Sequence, residues 1–378
     1  MSKTVLQLTD QIKPTLITVQ ELLEDINQQS NWLENGTVRK VESSSIYMGF
    51  NSSVVRLFLT LDNNNMVNII LKQPTSQFDT DSYNPLEKSF TKNICLFHNQ
   101  EILFYRTFSL HFSCIRFPNM YASRQSNVTT AQHGYIALED LGPFGSTKCT
   151  LRGLDYSQCV STIQTMAKYH AYSHVIGCDN KLFDSMETAI PSLDLIPFNL
   201  YDHAVKFEPK LEAYKDQINL FLQTRDMPVD VHKQFDYPAV LVHGDLWADN
   251  ILFKDDNVLC FLDWQCSHVG TGLEDLAKFL FMSAYSDVLK SQIPDLLKVY
   301  YEAFKASMTE YNRTFEVTFE KVTKIFKHQS SFEYLFCMLV LPPYAQKATS
   351  EAGKQELRNR LVHVIEYLTE SNFSCGLF

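Results

Sequence analysis

Leu241-Val242-His243-Gly244-Asp245-Leu246-Trp247-Ala248-Asp249-Asn250-Ile251-Leu252-Phe253 opens on an apolar run, breaks at His-Gly-Asp and closes on a second apolar run. The first run reads as a buried strand and the glycine as part of the turn that ends it. Four residues separate Asp245 from Asn250. From 253 to 261 the pattern is a hairpin that turns through Lys254-Asp255-Asp256-Asn257. It delivers Asp263, in Phe261-Leu262-Asp263-Trp264-Gln265, back toward the loop that carries Asp245 and Asn250. Two carboxylates and an amide gathered in this way make an oxygen-rich cluster. Hard divalent cations take such ligands, and a carboxylate left over can orient or deprotonate a hydroxyl.

Outward from this island the chain changes character. Residues 156–174 carry an apolar helical stripe at Val160, Ile163, Met166, Ala167 and His170. Residues 205–235 continue in helical register through Leu211, Tyr214, Ile218 and Leu222. Further helical patterns cover 274–285, 294–304, 319–340 and 354–369. Pro294 suits a first helical turn, where its missing N–H costs nothing. The first third reads differently. Residues 38–48 are β-rich, and Val55, Leu57, Leu59 and Leu61 alternate with other residues. The cluster Asp62-Asn63-Asn64-Asn65 turns into a second strand over 66–72, which makes a hairpin. Ile94, Phe97, Ile102, Tyr105 and Phe108 are spaced as on a helix, and a strand follows at 134–138. The predicted class is α+β: a small β-rich N-terminal lobe over 1–139 and a larger helical lobe over 140–378. Gly142-Pro143-Phe144-Gly145 breaks regular structure near the join.

Composition narrows the function classes. The 378 residues are 45% hydrophobic, enough for a sizeable core and too many for a disordered chain. With 33 basic and 43 acidic residues the net charge is −10, which disfavours general binding of nucleic acid or anionic membrane. Nine cysteines, an odd count with none in C-x-x-C spacing, signal neither a zinc ribbon nor a thioredoxin-type motif and point to a reducing compartment. The start MSKTVLQLTD has no apolar leader core, and the longest apolar run, 335–341, is under half a membrane span. A cytoplasmic protein that binds neither nucleic acid nor membrane is expected, and the sequence implies no protein partner.

The motif HGDLWADNILF followed by FLDWQ resembles the choline kinase-like and ecdysteroid kinase-like families, within the aminoglycoside phosphotransferase and protein-kinase-like superfamily. The resemblance is tightest over 241–280, including Gly272-Leu273-Glu274-Asp275-Leu276-Ala277, and extends with weaker signals over 35–345. The Trp after HGDL and the tripeptide Asp263-Trp264-Gln265 favour the ecdysteroid kinase-like branch. The resemblance implies a two-lobed kinase-like fold, ATP and Mg²⁺ as cofactors, and transfer of the γ-phosphoryl group to a hydroxyl of a small molecule. Asp245 would act on that hydroxyl, and Asn250 and Asp263 would hold the metal. Lys72, at the end of Ile69-Ile70-Leu71, stands where the family keeps the Lys that touches the α- and β-phosphates. Glu101 resembles the Glu of an E-x-x-F-Y element that pairs with this Lys. The phosphate loop is expected within 47–55, reading YMGFNSSVV, with Gly49, Asn51, Ser52 and Ser53 as donors. It holds one glycine where protein kinases have three. YIALEDL, 135–141, resembles the segment that receives adenine through backbone groups, which brings in Glu139 and Leu141. His170, in an element resembling the family's L-A-x-x-H-A, reads as a core histidine.

The acceptor is less determined. A steroid-like or xenobiotic alcohol is favoured by the resemblance. Trp247 and Trp264 would wall an apolar pocket for it, or would simply pack in the core. Two alternatives stay open: a choline- or ethanolamine-type kinase, whose cation would also use aromatic walls, and a catalytically silent kinase-like binding protein. A protein kinase is disfavoured, because HGD replaces HRD and no D-F-G or A-P-E segment follows.

Overall fold

Alternating apolar residues build the first unit around an antiparallel sheet. The computed structural model describes residues 3–30, 36–48, 52–75, 85–180, 183, 199–223 and 230–370. They fall into two compact units, Met1–Leu110 with Phe117–Phe144, and His111–Arg116 with Gly145–Phe378. In the first, six strands lie in the order β1-β2-β3-β4-β6-β5: β1 Thr4–Leu6, β2 Val38–Met48, β3 Ser52–Leu61, β4 Met66–Pro74, β5 Met120–Arg124 and β6 Tyr135–Glu139. Every pairing is antiparallel, and the hairpin of β3 and β4 sets Val54 opposite Lys72. Val55, Leu57 and Leu59 of β3, with Ile69 and Leu71 of β4, are fully buried on one face. Helix α1, Val19–Ser30, lays Val19, Leu22 and Ile26 into the same core. Its start is a capping box: Glu21 N–H donates to Thr18 Oγ1 at 3.2 Å, and Thr18 N–H donates to Glu21 Oε2 at 2.9 Å. Helix α2, Pro85–Leu103, carries Glu101 and passes into one wider π-type turn, Phe104–Phe108.

The second unit is helical: α3 Tyr156–Asn180, α4 Leu200–Phe207, α5 Lys215–Gln223, α6 Val231–Gln234, α7 Leu273–Ser283, α8 Ser286–Ser291, α9 Ile293–Glu310, α10 Phe319–Tyr344 and α11 Glu351–Glu370. Helix α3 packs along α9, and α10 along α7. Four short strands interrupt the helices: β7 Val240–Val242 pairs with β10 His268–Gly270, and β8 Ile251–Lys254 pairs with β9 Asn257–Phe261. Every residue of α7 is buried.

Two sequence expectations need correction here. The helical pattern over 205–235 is broken into pieces. Pro209 lacks an N–H to continue α4, and Glu208 before it is extended at φ −135° and ψ 97°. A 3₁₀ segment, Pro209–Tyr214, intervenes before α5. The pattern over 319–340 runs further, through Pro342 and Pro343 to Tyr344. Pro294 lies in the first turn of α9.

Candidate active site

The central loop follows from three buried residues and a glycine. Val240, Leu241 and Val242 have no exposure, and β7 gives way to His243, equally buried. Gly244 takes φ +80°, and a β-carbon there would collide with the Cys266 carbonyl oxygen. Only glycine satisfies both conditions. Asp275, on α7, then fastens the turn. It accepts from His243 N–H at 2.6 Å through Oδ2 and from Gly244 N–H at 2.8 Å through Oδ1. Its Oδ2 also lies 3.2 Å from His170 Nε2, and His170 Nδ1 is 2.9 Å from the Tyr300 hydroxyl. Burial opposes the charge of Asp275. The hydrogen bond from His170, the nearby imidazoles and the His243 amide outweigh it and hold the carboxyl below its ordinary value. His170 is thus a core residue that steadies Asp275.

His243 joins the loop to the strand end that precedes Asp263. Its Nε2 lies 2.8 Å from the Leu262 carbonyl, and its Nδ1 accepts from Asp245 N–H at 3.2 Å. Burial lowers its pKa, which suits a neutral ring protonated on Nε2. Asn250 closes the loop from the other end. Its Nδ2 donates to the Asp245 carbonyl at 2.8 Å and approaches Asp245 Oδ2 at 3.3 Å. Its backbone carbonyl accepts from Leu262 N–H at 2.8 Å. Both its amide contacts thus run through nitrogen, and Oδ1 has no donor among the described residues. Asp263 sits in the left-handed region, φ 66° and ψ 66°, a conformation costly for a residue with a β-carbon. The structure therefore brings Asp245, Asn250 and Asp263 together on one loop and one hairpin.

Asp245 keeps a side chain 21% exposed. Burial and the Asp263 charge push its pKa up, against Lys278 and His243, which pull it down; the net shift is upward. Lys278, on α7, was not singled out from the sequence. Its Nζ lies 3.9 Å from Asp245 Oδ1 and 3.3 Å from Glu333 Oε2 on α10. Its one sequence signal is a lone cation within Leu276-Ala277-Lys278-Phe279-Leu280-Phe281, where the apolar residues leave no wet face.

In the first unit, Lys72 Nζ meets Glu101 Oε2 at 2.7 Å, with side chains 11% and 2% exposed. Ser52 and Ser53 are buried strand residues, opposite Pro74 and Gln73, rather than loop donors. Tyr47 and Met48 are likewise paired, with Val54 and Ser53, so the ladder of β2 and β3 consumes most of the expected phosphate loop. Gly49 and Asn51 lie outside the described residues. Glu139 ends β6, and its Oε2 accepts from the Asn119 backbone and side-chain amides at 3.2 and 3.0 Å. Leu141 is buried one residue past Asp140, which is ion-paired with Arg56 at 2.6 Å. Trp264 is fully buried, 4.4 Å from the His243 ring, with its Nε1 donating to the Phe261 carbonyl at 3.0 Å. It packs the core and walls no open pocket. Trp247 rests edge-on against Tyr344, centroids 5.5 Å apart.

Comparison with known proteins adds three findings. The ecdysteroid kinase-like family model matches residues 52–313. A curated Caenorhabditis elegans protein, described as the uncharacterized oxidoreductase dhs-27, is 23% identical over 341 residues, covering 82% of this chain. The chain spans 40% of that relative's length. Among solved structures, the GDP complex of wild-type aminoglycoside 2'-phosphotransferase-IIIa superposes with a TM-score of 0.48 at 13% identity, covering 94% of this chain and 99% of the other. A spectinomycin phosphotransferase in complex with ADP and spectinomycin gives 0.49 at 10% identity, covering 94% and 98%.

Proposed function

The chain belongs to the ecdysteroid kinase-like family, a family of kinase-like phosphotransferases, and we propose that it moves the γ-phosphoryl group of ATP to a hydroxyl of a small molecule. The observation that carries this reading is the convergence of Asp245, Asn250 and Asp263, tied by His243 to the Leu262 carbonyl and by Asp275 to α7. Asp245 orients the acceptor hydroxyl and takes its proton. The acceptor oxygen bonds to the γ-phosphorus as the bond to the β-bridging oxygen breaks, and ADP leaves with that electron pair. Lys72, held by Glu101, pairs with the α- and β-phosphate oxygens, and backbone groups of 139–141 receive adenine.

The residues present fit Mg²⁺. Asn250 offers an Oδ1 that accepts from no donor among the described residues, and Asp263 a carboxylate, both hard oxygen ligands. Two such ligands completed by phosphates and water are this ion's usual arrangement. When bound, Mg²⁺ neutralises charge on the β- and γ-phosphates. Among the described residues no helix is long and apolar enough to cross a membrane. The acceptor class we favour is a steroid-like or xenobiotic alcohol, with the half-buried Trp247, packed against the buried Tyr344, as the apolar side chain beside the loop.

Incubation with γ-labelled ATP and Mg²⁺, against sterol alcohols, choline, ethanolamine and a small-molecule extract, tests the proposal. Mass spectrometry should find products heavier by one phosphoryl group. Labelling of choline or ethanolamine alone would move the assignment to the choline-type alternative. No product, with no thermal shift on adding MgATP, would favour a silent binding protein.

A further inference from the structure

Lys278 is an ammonium placed where an apolar side chain would fit. Its helix is buried at every position, and the side chain is 6% exposed. Three groups surround Nζ: Glu333 Oε2 at 3.3 Å, Asp245 Oδ1 at 3.9 Å, and the Phe336 ring with its centroid at 3.7 Å. Glu333 is itself 4% exposed. Burying such a group costs desolvation that a single ion pair often fails to offset, so a fold has little reason to keep it for stability alone. Two carboxylates flank this one ammonium, and one of them belongs to the catalytic loop.

The distances say how the cation is used. At 3.9 Å the contact to Asp245 is too long for a hydrogen bond, so it consumes none of that carboxylate's lone pairs. The Asn250 amide reaches the other oxygen, Oδ2, at 3.3 Å. The two neighbours address different oxygens and so define the plane of the carboxylate. Glu333 restrains Lys278 from closing on Asp245. We propose that Lys278, anchored by Glu333, is the positioning residue for Asp245: it aims the carboxylate at the acceptor and balances the negative charge that collects when a phosphoryl group arrives. This rests on the phosphotransfer reading above.

The test uses the full chain with MgATP and water as the acceptor. Hydrolysis, MgATP affinity by calorimetry and the melting temperature are measured together. Lys278→Met alone strands Glu333, so the informative variant is K278M/E333Q, which removes both charges and keeps the volume. It should stay folded, lose about 10- to 100-fold in kcat, and keep its affinity for MgATP within about threefold. Lys278→Arg should recover most of the rate, and added methylammonium or ethylammonium should partly rescue Lys278→Ala. A folded K278M/E333Q with kcat within about threefold of wild type overturns the proposal, because the trio is then structural only. Loss of MgATP affinity in parallel with kcat also overturns it, since Lys278 would then serve the nucleotide. A wild-type chain that neither binds nor hydrolyses MgATP takes the phosphotransfer reading down, and this proposal with it.

Discussion

Two lysines of low exposure, one in each unit, meet a glutamate in different ways. Lys72 on β4 closes on Glu101 of α2 at 2.7 Å, a charge-assisted hydrogen bond. Lys278 on α7 stands 3.3 Å from Glu333 and shares itself with Asp245 at 3.9 Å. The short contact fixes one ammonium in one place. The long, shared contact leaves capacity on every member. The first arrangement suits a cation that must hold still for a polyanion, and the second suits a carboxylate that must stay available to a reacting hydroxyl.

The largest effect should come from the reacting end of the second arrangement. Asp245→Asn is nearly isosteric yet cannot take a proton, so kcat should fall by roughly 10²- to 10⁴-fold while MgATP affinity stays near wild type. Calorimetry paired with turnover reads both. Destroyed MgATP binding would instead make Asp245 a metal ligand and erase the contrast between the two lysines.

Next in size is Lys72→Met, which keeps the aliphatic stem and removes the charge. MgATP use should weaken by about tenfold or more, with the acceptor KM little changed. Glu101→Gln should show a milder defect of the same kind, because it acts through Lys72. A Glu101 variant much worse than the Lys72 variant would break the assigned order.

A smaller, pH-dependent effect distinguishes Glu333. Burial, against the opposing pull of Lys278, raises its pKa to about 7 from an ordinary value of 4.5. Between these values the folded chain holds a proton that the unfolded chain has lost, so this group's contribution to stability falls as pH rises through that window. Glu333→Gln removes the titration. Its melting temperature should therefore gain on wild type between pH 5 and pH 8; a constant difference across that range would contradict the shift. Smallest of all is a change remote from both lysines. Thr18→Ala removes the cap of α1 and should cost about 1 kcal/mol of stability in denaturant unfolding, with turnover unaltered.

The first arrangement was legible in the sequence and the second was not, for a physical reason. Lys72 ends a strand and Glu101 lies on the helix that follows, and the resemblance to the family's motifs implies their pairing; each alone reads as a solvated side chain. The contact of Lys278 with Glu333 joins residues on α7 and α10, and depends on how those two helices pack, which no local pattern records. The same limit explains Ser52 and Ser53. Their composition suits a phosphate loop, but the ladder with Gln73 and Pro74 extends β3 to include them. Pro209 was legible in principle, as a break that an apolar register over 205–235 concealed. The hairpin bearing Asp263 was readable because a strand, a polar turn and a strand are short-range features.

The clamp that Asp275 places on the His243 and Gly244 amides has a consequence for timing. Both hydrogens are donated to one buried carboxylate, and that carboxylate belongs to a helix with no exposed residue. Solvent can take these two hydrogens only when α7 itself lifts away. Their deuterium exchange should therefore run on the clock of that helix and lag behind the neighbouring loop amides. The loop is a passenger of the helix, and its shape is settled when that helix packs.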